Sequence, residues 1–290
     1  LQWLVLPGLE RPVLRQIRRR AGLFLTVHNT SLAAHSADSV VGGVGAAAQR
    51  MGRGDILGEF DGLIAHTEQT RAHLERAGIP PERIRVIGHP PLTPGELPPA
   101  QADDTVRILF FGSIKPYKGI DLLVRAALQL LPGRPNCRID VAGRPFSPIE
   151  AERQAVTDAG LAPQFGFDLR FIPDEDLARY LAAADITVFP YREIDASGAF
   201  ALAVAAGKPV VASALGVFAE EPAASAIRLF PPGDADALAS ALARLVDDAQ
   251  ERRIAAEKVQ ALAGTLDSWP DFAQGCLEFY GRRLADRRAS

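Results

Sequence analysis

From residue 106 to residue 246, short continuous apolar runs alternate with helical stretches of roughly ten residues, and this constrains the fold more than any other feature. The strand-like runs are 106–111, 138–142, 168–172, 186–189, 209–212 and 227–230. The helical ones are 120–131, 150–159, 175–183, 199–206 and 235–246. Apolar strands each followed by a helix predict a parallel sheet covered on both faces. The first third is an interrupted version of the same pattern. It has strands at 23–27, 63–65 and 84–87, a helix over 67–77 with Thr67 as N-cap and Gly78 as stop, and 32–58 as loop with some helix.

Between these regions Pro90, Pro91, Pro94, Pro98 and Pro99 precede Asp103-Asp104, a stretch that suits neither a helix nor a central strand. It divides the chain into residues 1–98, 99–266 and a helical tail, 267–290, placed to cross back to the first domain. The fold class is α/β, with two Rossmann-like parallel sheets, the first incomplete. Ligands of such sheets bind beyond the carboxyl ends of the strands, so the crevice between the sheets is the expected site.

Composition narrows the function. A formal net charge of −3 gives no polyelectrolyte signature, so nucleic acid is not an expected partner. Two isolated cysteines, Cys137 and Cys276, build neither a disulfide framework nor a zinc site and fit a reducing, cytoplasmic compartment. No apolar run approaches the roughly 20 residues of a membrane span.

The informative residues follow strands. After 106–111 come Gly112, Ser113, Lys115 and Lys118, then a helix: a glycine for close backbone approach, a helix N-terminus, and two of the chain's four lysines as point charges suited to phosphate. The order is not that of a Walker loop, and the plainer reading is a solvated turn. After 186–189 come Glu193 and Asp195, acceptors suited to sugar or ribose hydroxyls. Ser197 and Gly198 then open a second helix and form a second anion seat. Here the plainer reading is an ordinary capped helix. Gly143-Arg144 and the 171–174 loop, with Ile172 and a possible N-cap in Asp174, can each reach a base or ribose. In the first domain His28-Asn29 and His89 follow strands, although a lone histidine is more often structural. No nucleophilic Ser/His/Asp or Cys/His arrangement is legible, and no metal ligand set is expected.

Taken together, residues 110–119, 142–144, 171–175, 184–190 and 206–212 resemble the nucleotide-binding half of GT-B glycosyltransferases, most of all glycosyltransferase family 4, and residues 26–29 and 86–89 resemble its acceptor-side half. The resemblance implies a retaining transfer of a sugar from a nucleotide-diphosphate donor to a glycan or lipid-linked acceptor, in polysaccharide biosynthesis. It implies no cofactor and no metal, the nucleotide-sugar being a substrate. Lysine and helix-end N–H groups would neutralise the leaving diphosphate. Lys118 would be its main ligand, assisted by Lys115, with Ser197 and Gly198 at the helix end. His28 and Glu193 would be catalytic, and Asn29 and His89 acceptor-side. The sequence departs from the family in three places. Ser113 stands where an arginine is common. The usual pair of glutamates eight apart is broken, since Ala201 lies eight beyond Glu193. The opening strand and Gly-rich loop are missing, so the first domain is expected to be shortened. The alternatives are a nucleotide-sugar epimerase of the same fold and a non-catalytic nucleotide-sugar-binding relative. Finally, Arg11, Arg15, Arg18, Arg19 and Arg20 surround Leu14 and Ile17, so a weak attachment to anionic lipid at the inner face of the membrane is expected, with a solvated helix as the plainer reading.

Overall fold

The computed structural model describes residues 7–28, 56–90, 92–99, 103–194 and 196–289. They form two compact units, one from the chain up to Pro90 together with the segment from Asp267, the other Pro91–Leu266.

The first unit is built on a parallel sheet ordered β1 (Phe24–Val27), β2 (Gly62–Ala65), β3 (Ile84–Val86). Alternation along β2 serves both faces. Leu63 and Ala65 join Leu14, Phe60 and Leu74 in one core, while Ile64 joins Ile87, Cys276 and Phe279 in another. Helix α1 (Pro7–Arg18) contributes Leu14, and α2 (Glu68–Arg76) contributes Leu74. Thr67 caps α2 by accepting from the Thr70 N–H, and Gly78 adopts φ 87° beyond its end. Gly62 is needed for packing, because a Cβ there would stand 2.7 Å from the Phe279 ring.

The basic face of α1 is largely spent inside this unit. Arg11 and Arg15 bond the Glu59 carboxylate at 2.9 and 2.8 Å, and Arg18 bonds Asp61 at 3.1 Å. Burial pushes the Glu59 carboxyl up, but the hydrogen bonds from Arg11 and Arg15 outweigh it and hold it below the usual range. The basic cluster therefore does not stand free around an apolar stripe: Leu14 is core, and three of the five arginines are paired.

The second unit carries a six-stranded parallel sheet of β4 (Val106–Phe111), β5 (Cys137–Ala142), β6 (Phe165–Asp168), β7 (Ile186–Phe189), β8 (Val210–Ser213) and β9 (Arg228–Phe230), in the order β6-β5-β4-β7-β8-β9. Connecting it are α3 (Ile120–Leu130), α4 (Glu150–Asp158), α5 (Asp174–Ala183), α6 (Gly198–Ala205), α7 (Ala223–Ala226), α8 (Ala235–Asp247) and α9 (Ala249–Ala263), and α10 (Trp269–Ala289) returns to the first unit. The central strands are buried along their length, which explains their unbroken hydrophobicity.

Two expectations need correction. The third strand of this unit is Phe165–Asp168, not 168–172: residues 165–168 pair with Ile139–Ala142, whereas Phe171 beyond them is 75% exposed. Asp174 is not an N-cap but the first residue of α5, where its charge faces the positive helix end.

Candidate active site

The strand order reverses between β4 and β7, which pair through Ile108↔Ile186 and Leu109↔Thr187. Loops leaving a parallel sheet at such a switch point diverge to opposite faces and open a ligand seat. The two loops singled out in the sequence leave here, so the anion seats are neighbours.

Lys118 lies in the β4 loop and is buried, at 7% exposure. It has no hydrogen bond or ion pair among the described residues. Its ammonium stands 5.3 Å from the centre of the Tyr191 ring, and a Cβ on Gly112 would come within 3.2 Å of it. Burial lowers its pKa, and Tyr117 opposes this in part. A buried ammonium without a carboxylate is costly, and the Tyr191 face offsets only part of that cost. Tyr191 is itself fully buried, and its hydroxyl has no hydrogen-bond partner at ordinary distance among the described residues.

The two loops are locked together by the backbone. Gly119 at φ 70° brings the chain so close to the Pro190 carbonyl that a Cβ would sit 2.0 Å from its oxygen. The Arg192 N–H donates to the Tyr117 carbonyl at 2.7 Å, and its guanidinium forks onto both Asp121 oxygens at 2.8 and 2.6 Å. This fork holds the Asp121 carboxyl below its usual range. On the other side, a Cβ at Gly216 (φ 53°) would stand 2.0 Å from the Ile194 carbonyl oxygen. Ser197 caps α6 by accepting from Phe200 N–H at 3.2 Å, and Leu92 of the proline-rich segment approaches Gly198.

The β5 loop is laced to the β4 loop. Ile114 N–H donates to the Arg144 carbonyl and Phe146 N–H to the Ile114 carbonyl, both at 2.8 Å. A Cβ on Gly143 would meet the Gly112 carbonyl oxygen at 1.9 Å. Lys115 and Arg144 flank the exposed Phe146 ring at 5.5 and 5.7 Å. Burial and then Lys118 lower the Lys115 pKa.

In this unit the structure therefore gathers Gly112, Ser113, Lys115, Lys118, Gly143, Arg144, Ser197 and Gly198 at one end of the sheet. Glu193 is exposed in the β7 loop, and Ile172 packs half-buried beside the core. Asp195 lies outside the described residues. Sequence reasoning did not find Arg192, Asp121, Tyr191 and Gly216; only the glycine-rich spacing hinted at such close approaches.

In the first unit, His28 follows β1, His66 follows β2 and His89 lies beyond β3. Their ring centres are 4.9 Å (His28–His66), 5.0 Å (His66–His89) and 6.1 Å (His28–His89) apart. Burial, with smaller effects from His28 and His89, pushes His66 down to about 4. Partial loss of hydration and then His89 lower His28. Among the described residues no group of three or more ligating side chains is arranged to hold an ion. Asn29 lies outside the described residues.

Residues 105–248 match the glycosyl transferases group 1 family. The second unit thus carries a glycosyl transferases group 1 domain, and the chain's parallel sheets have the GT-B fold. It is 32% identical over 260 residues to a D-inositol 3-phosphate glycosyltransferase of Mycobacteroides abscessus, covering 82% of this chain and 56% of that protein. A sucrose-phosphate synthase from Thermosynechococcus elongatus superposes with TM-score 0.76 at 25% identity, covering 96% of this chain and 72% of that one. Anabaena HepE, solved with UDP and glucose, shares the fold with TM-score 0.74 at 19% identity, covering 95% of this chain and 75% of that one. The chain spans about half the length of the curated relatives it matches.

Proposed function

We propose that this chain carries the donor site of a retaining, metal-independent glycosyltransferase that takes a sugar from a nucleotide-diphosphate donor. The observation that carries the reading is Lys118: a buried ammonium without a counter-ion among the described residues, at the switch point of a parallel sheet, beside Gly112. Such a cation lacks only an anion, and a diphosphate supplies one with oxygens that accept its N–H groups. Charge developing on the leaving diphosphate would be met by Lys118, by Lys115 and by the N-terminus of α6, groups already fixed in place by the Gly119, Arg192 and Gly216 contacts. They do electrostatic work that a divalent cation does elsewhere.

Glu193 and Asp195 supply acceptors for sugar or ribose hydroxyls. The first unit, with His28 and His89 at its strand ends, reads as the acceptor side. Glycans and lipid-linked sugars are the acceptors the family resemblance suggests, and the inositol-phosphate relatives add a phosphorylated polyol. A cytoplasmic location fits donors of this kind.

The test is to incubate the protein with a panel of nucleotide-sugars and these acceptors, with and without EDTA. Nucleoside diphosphate should be released and an α-linked product formed from an α-linked donor, unchanged by the chelator. Isomerised donor without transfer would point to an epimerase. Binding without turnover would leave a nucleotide-sugar-binding module. Activity lost in EDTA and restored by magnesium or manganese would refute metal independence.

A further inference from the structure

His66 is the most buried of the three strand-end histidines, and its hydrogen bonding is half complete. Its Nδ1 lies 3.0 Å from the Ile87 carbonyl oxygen. A carbonyl only accepts, so Nδ1 carries the proton, and in the neutral ring Nε2 is left as a lone-pair acceptor. That Nε2 is shielded from water and has no partner among the described residues. A buried polar atom left in this way costs about 1–3 kcal/mol, so a donor within reach has much to gain.

Two rings stand within reach. His89 places Nδ1 2.7 Å from the Pro90 carbonyl, so its neutral form has already committed its proton and offers Nε2 only as an acceptor. His28 is exposed at the end of β1 and makes no hydrogen bond among the described residues. Its ring centre is 4.9 Å from that of His66, with the planes tilted 47°. An N–H···N bond of about 3 Å between two imidazoles puts their centres roughly 5 Å apart, which matches the separation of these rings.

We propose that His66 is a positioning residue for His28: its Nε2 accepts the N–H of His28, fixing that ring in one tautomer with the opposite nitrogen presented outward as an acceptor for a substrate hydroxyl. The chain of contacts runs from the Ile87 carbonyl through His66 to His28. His66 stays neutral across the physiological range, so it holds His28 without competing for a proton. His89 faces it from the segment after β3, and α10 packs Phe272 against it at 6.2 Å. The carboxylate of Asp267 lies 4.0 Å from where a Cβ on Gly88 would stand. The proposal rests on the reading of His28 as a site residue only for its consequence in catalysis, not for the hydrogen bond itself.

Long-range proton–nitrogen NMR on histidine-labelled protein at pH 7 tests the bond directly. His28 should show a single tautomer, become a mixture in His66→Phe, and return to one tautomer in His66→Gln, whose amide oxygen can accept. In transfer assays His66→Phe should lower kcat about tenfold, leave KM within about twofold and move the acid limb of the pH profile, while His66→Gln should restore most of the rate. A wild-type His28 that populates both tautomers like free imidazole overturns the proposal, even if His66→Phe does not fold. So does a tautomer unchanged in a folded His66→Phe variant. If His28→Gln leaves transfer intact while the NMR result holds, the catalytic reading of His28 fails and the positioning bond stands.

Discussion

Lys118 and His66 hold the same address in different units, one beyond a central parallel strand of the six-stranded sheet and the other beyond the middle strand of the three-stranded one. Both are buried at 7% exposure. Burial acts on both by disfavouring the charged form, yet the outcomes differ. An imidazole starts close to neutrality, so desolvation simply leaves it uncharged, and its cost becomes an unpaired lone pair. An ammonium starts far above neutral pH, so it resists losing its proton and its cost becomes an unpaired charge. The first situation calls for a donor, which a neighbouring ring can supply. The second calls for an anion, and no described residue supplies one. The contrast separates the proposed orienting role of His66 from the proposed ligand-binding role of Lys118.

Breaking the frame of the lysine site should have the largest effect. Gly119→Ala forces a side chain into a left-handed backbone position and against the Pro190 carbonyl. It should cost about 3 kcal/mol in urea unfolding, with loss of nucleotide binding in the surviving folded fraction. In the histidine site the corresponding handle is pH. His66 titrates at about 4 when folded and near 6.5 when unfolded, so between these values the unfolded chain binds more protons. Its stability contribution is therefore full above pH 6.5 and lost as pH falls to about 4, by up to about 3 kcal/mol. Urea titrations at pH 7.5 and 4.5 should show this loss in the wild type and its reduction in His66→Gln.

A smaller effect is expected at the clamp between the loops. The Arg192–Asp121 fork is more than a third exposed on both sides, so Asp121→Asn should cost no more than about 1 kcal/mol in stability. Nucleoside diphosphate affinity should fall several-fold all the same, because the two loops are no longer fixed to each other. Equal affinity in Asp121→Asn would show that the glycine contacts alone set the site. The smallest effect concerns lipid. With Arg11, Arg15 and Arg18 paired to Glu59 and Asp61, co-sedimentation with anionic vesicles should be marginal at low salt and absent at physiological salt. Strong binding that Arg19→Ser/Arg20→Ser abolishes would restore the membrane reading.

The sheet and helices of the second unit were legible because their burial repeats along the sequence. The strand over 165–168 was not placed correctly, since Phe165, Phe167, Leu169 and Phe171 alternate without a break and only pairing with β5 decides which of them enter the sheet. Lys118 was legible because a rare lysine follows a strand-end glycine. Its burial was not, because the walls come from Tyr191 in a loop far along the chain. The Arg192–Asp121 fork spans 71 residues and leaves no local signal. His66 was visible only as one histidine among five, since its pairing depends on parallel strands bringing three chain segments together.

The role proposed for Lys118 is that it is buried for a ligand and not for the fold. Calorimetric titration of a nucleoside diphosphate into wild type and Lys118→Met, alongside thermal unfolding of both, tests it most directly. Lys118→Met should keep or raise the melting temperature, because a desolvated charge is removed, while affinity falls by at least about tenfold. In the wild type, affinity should also decline as pH rises through the lowered pKa of Lys118, and this decline should vanish in the variant. A folded Lys118→Met protein that binds the diphosphate as tightly as wild type would contradict the account.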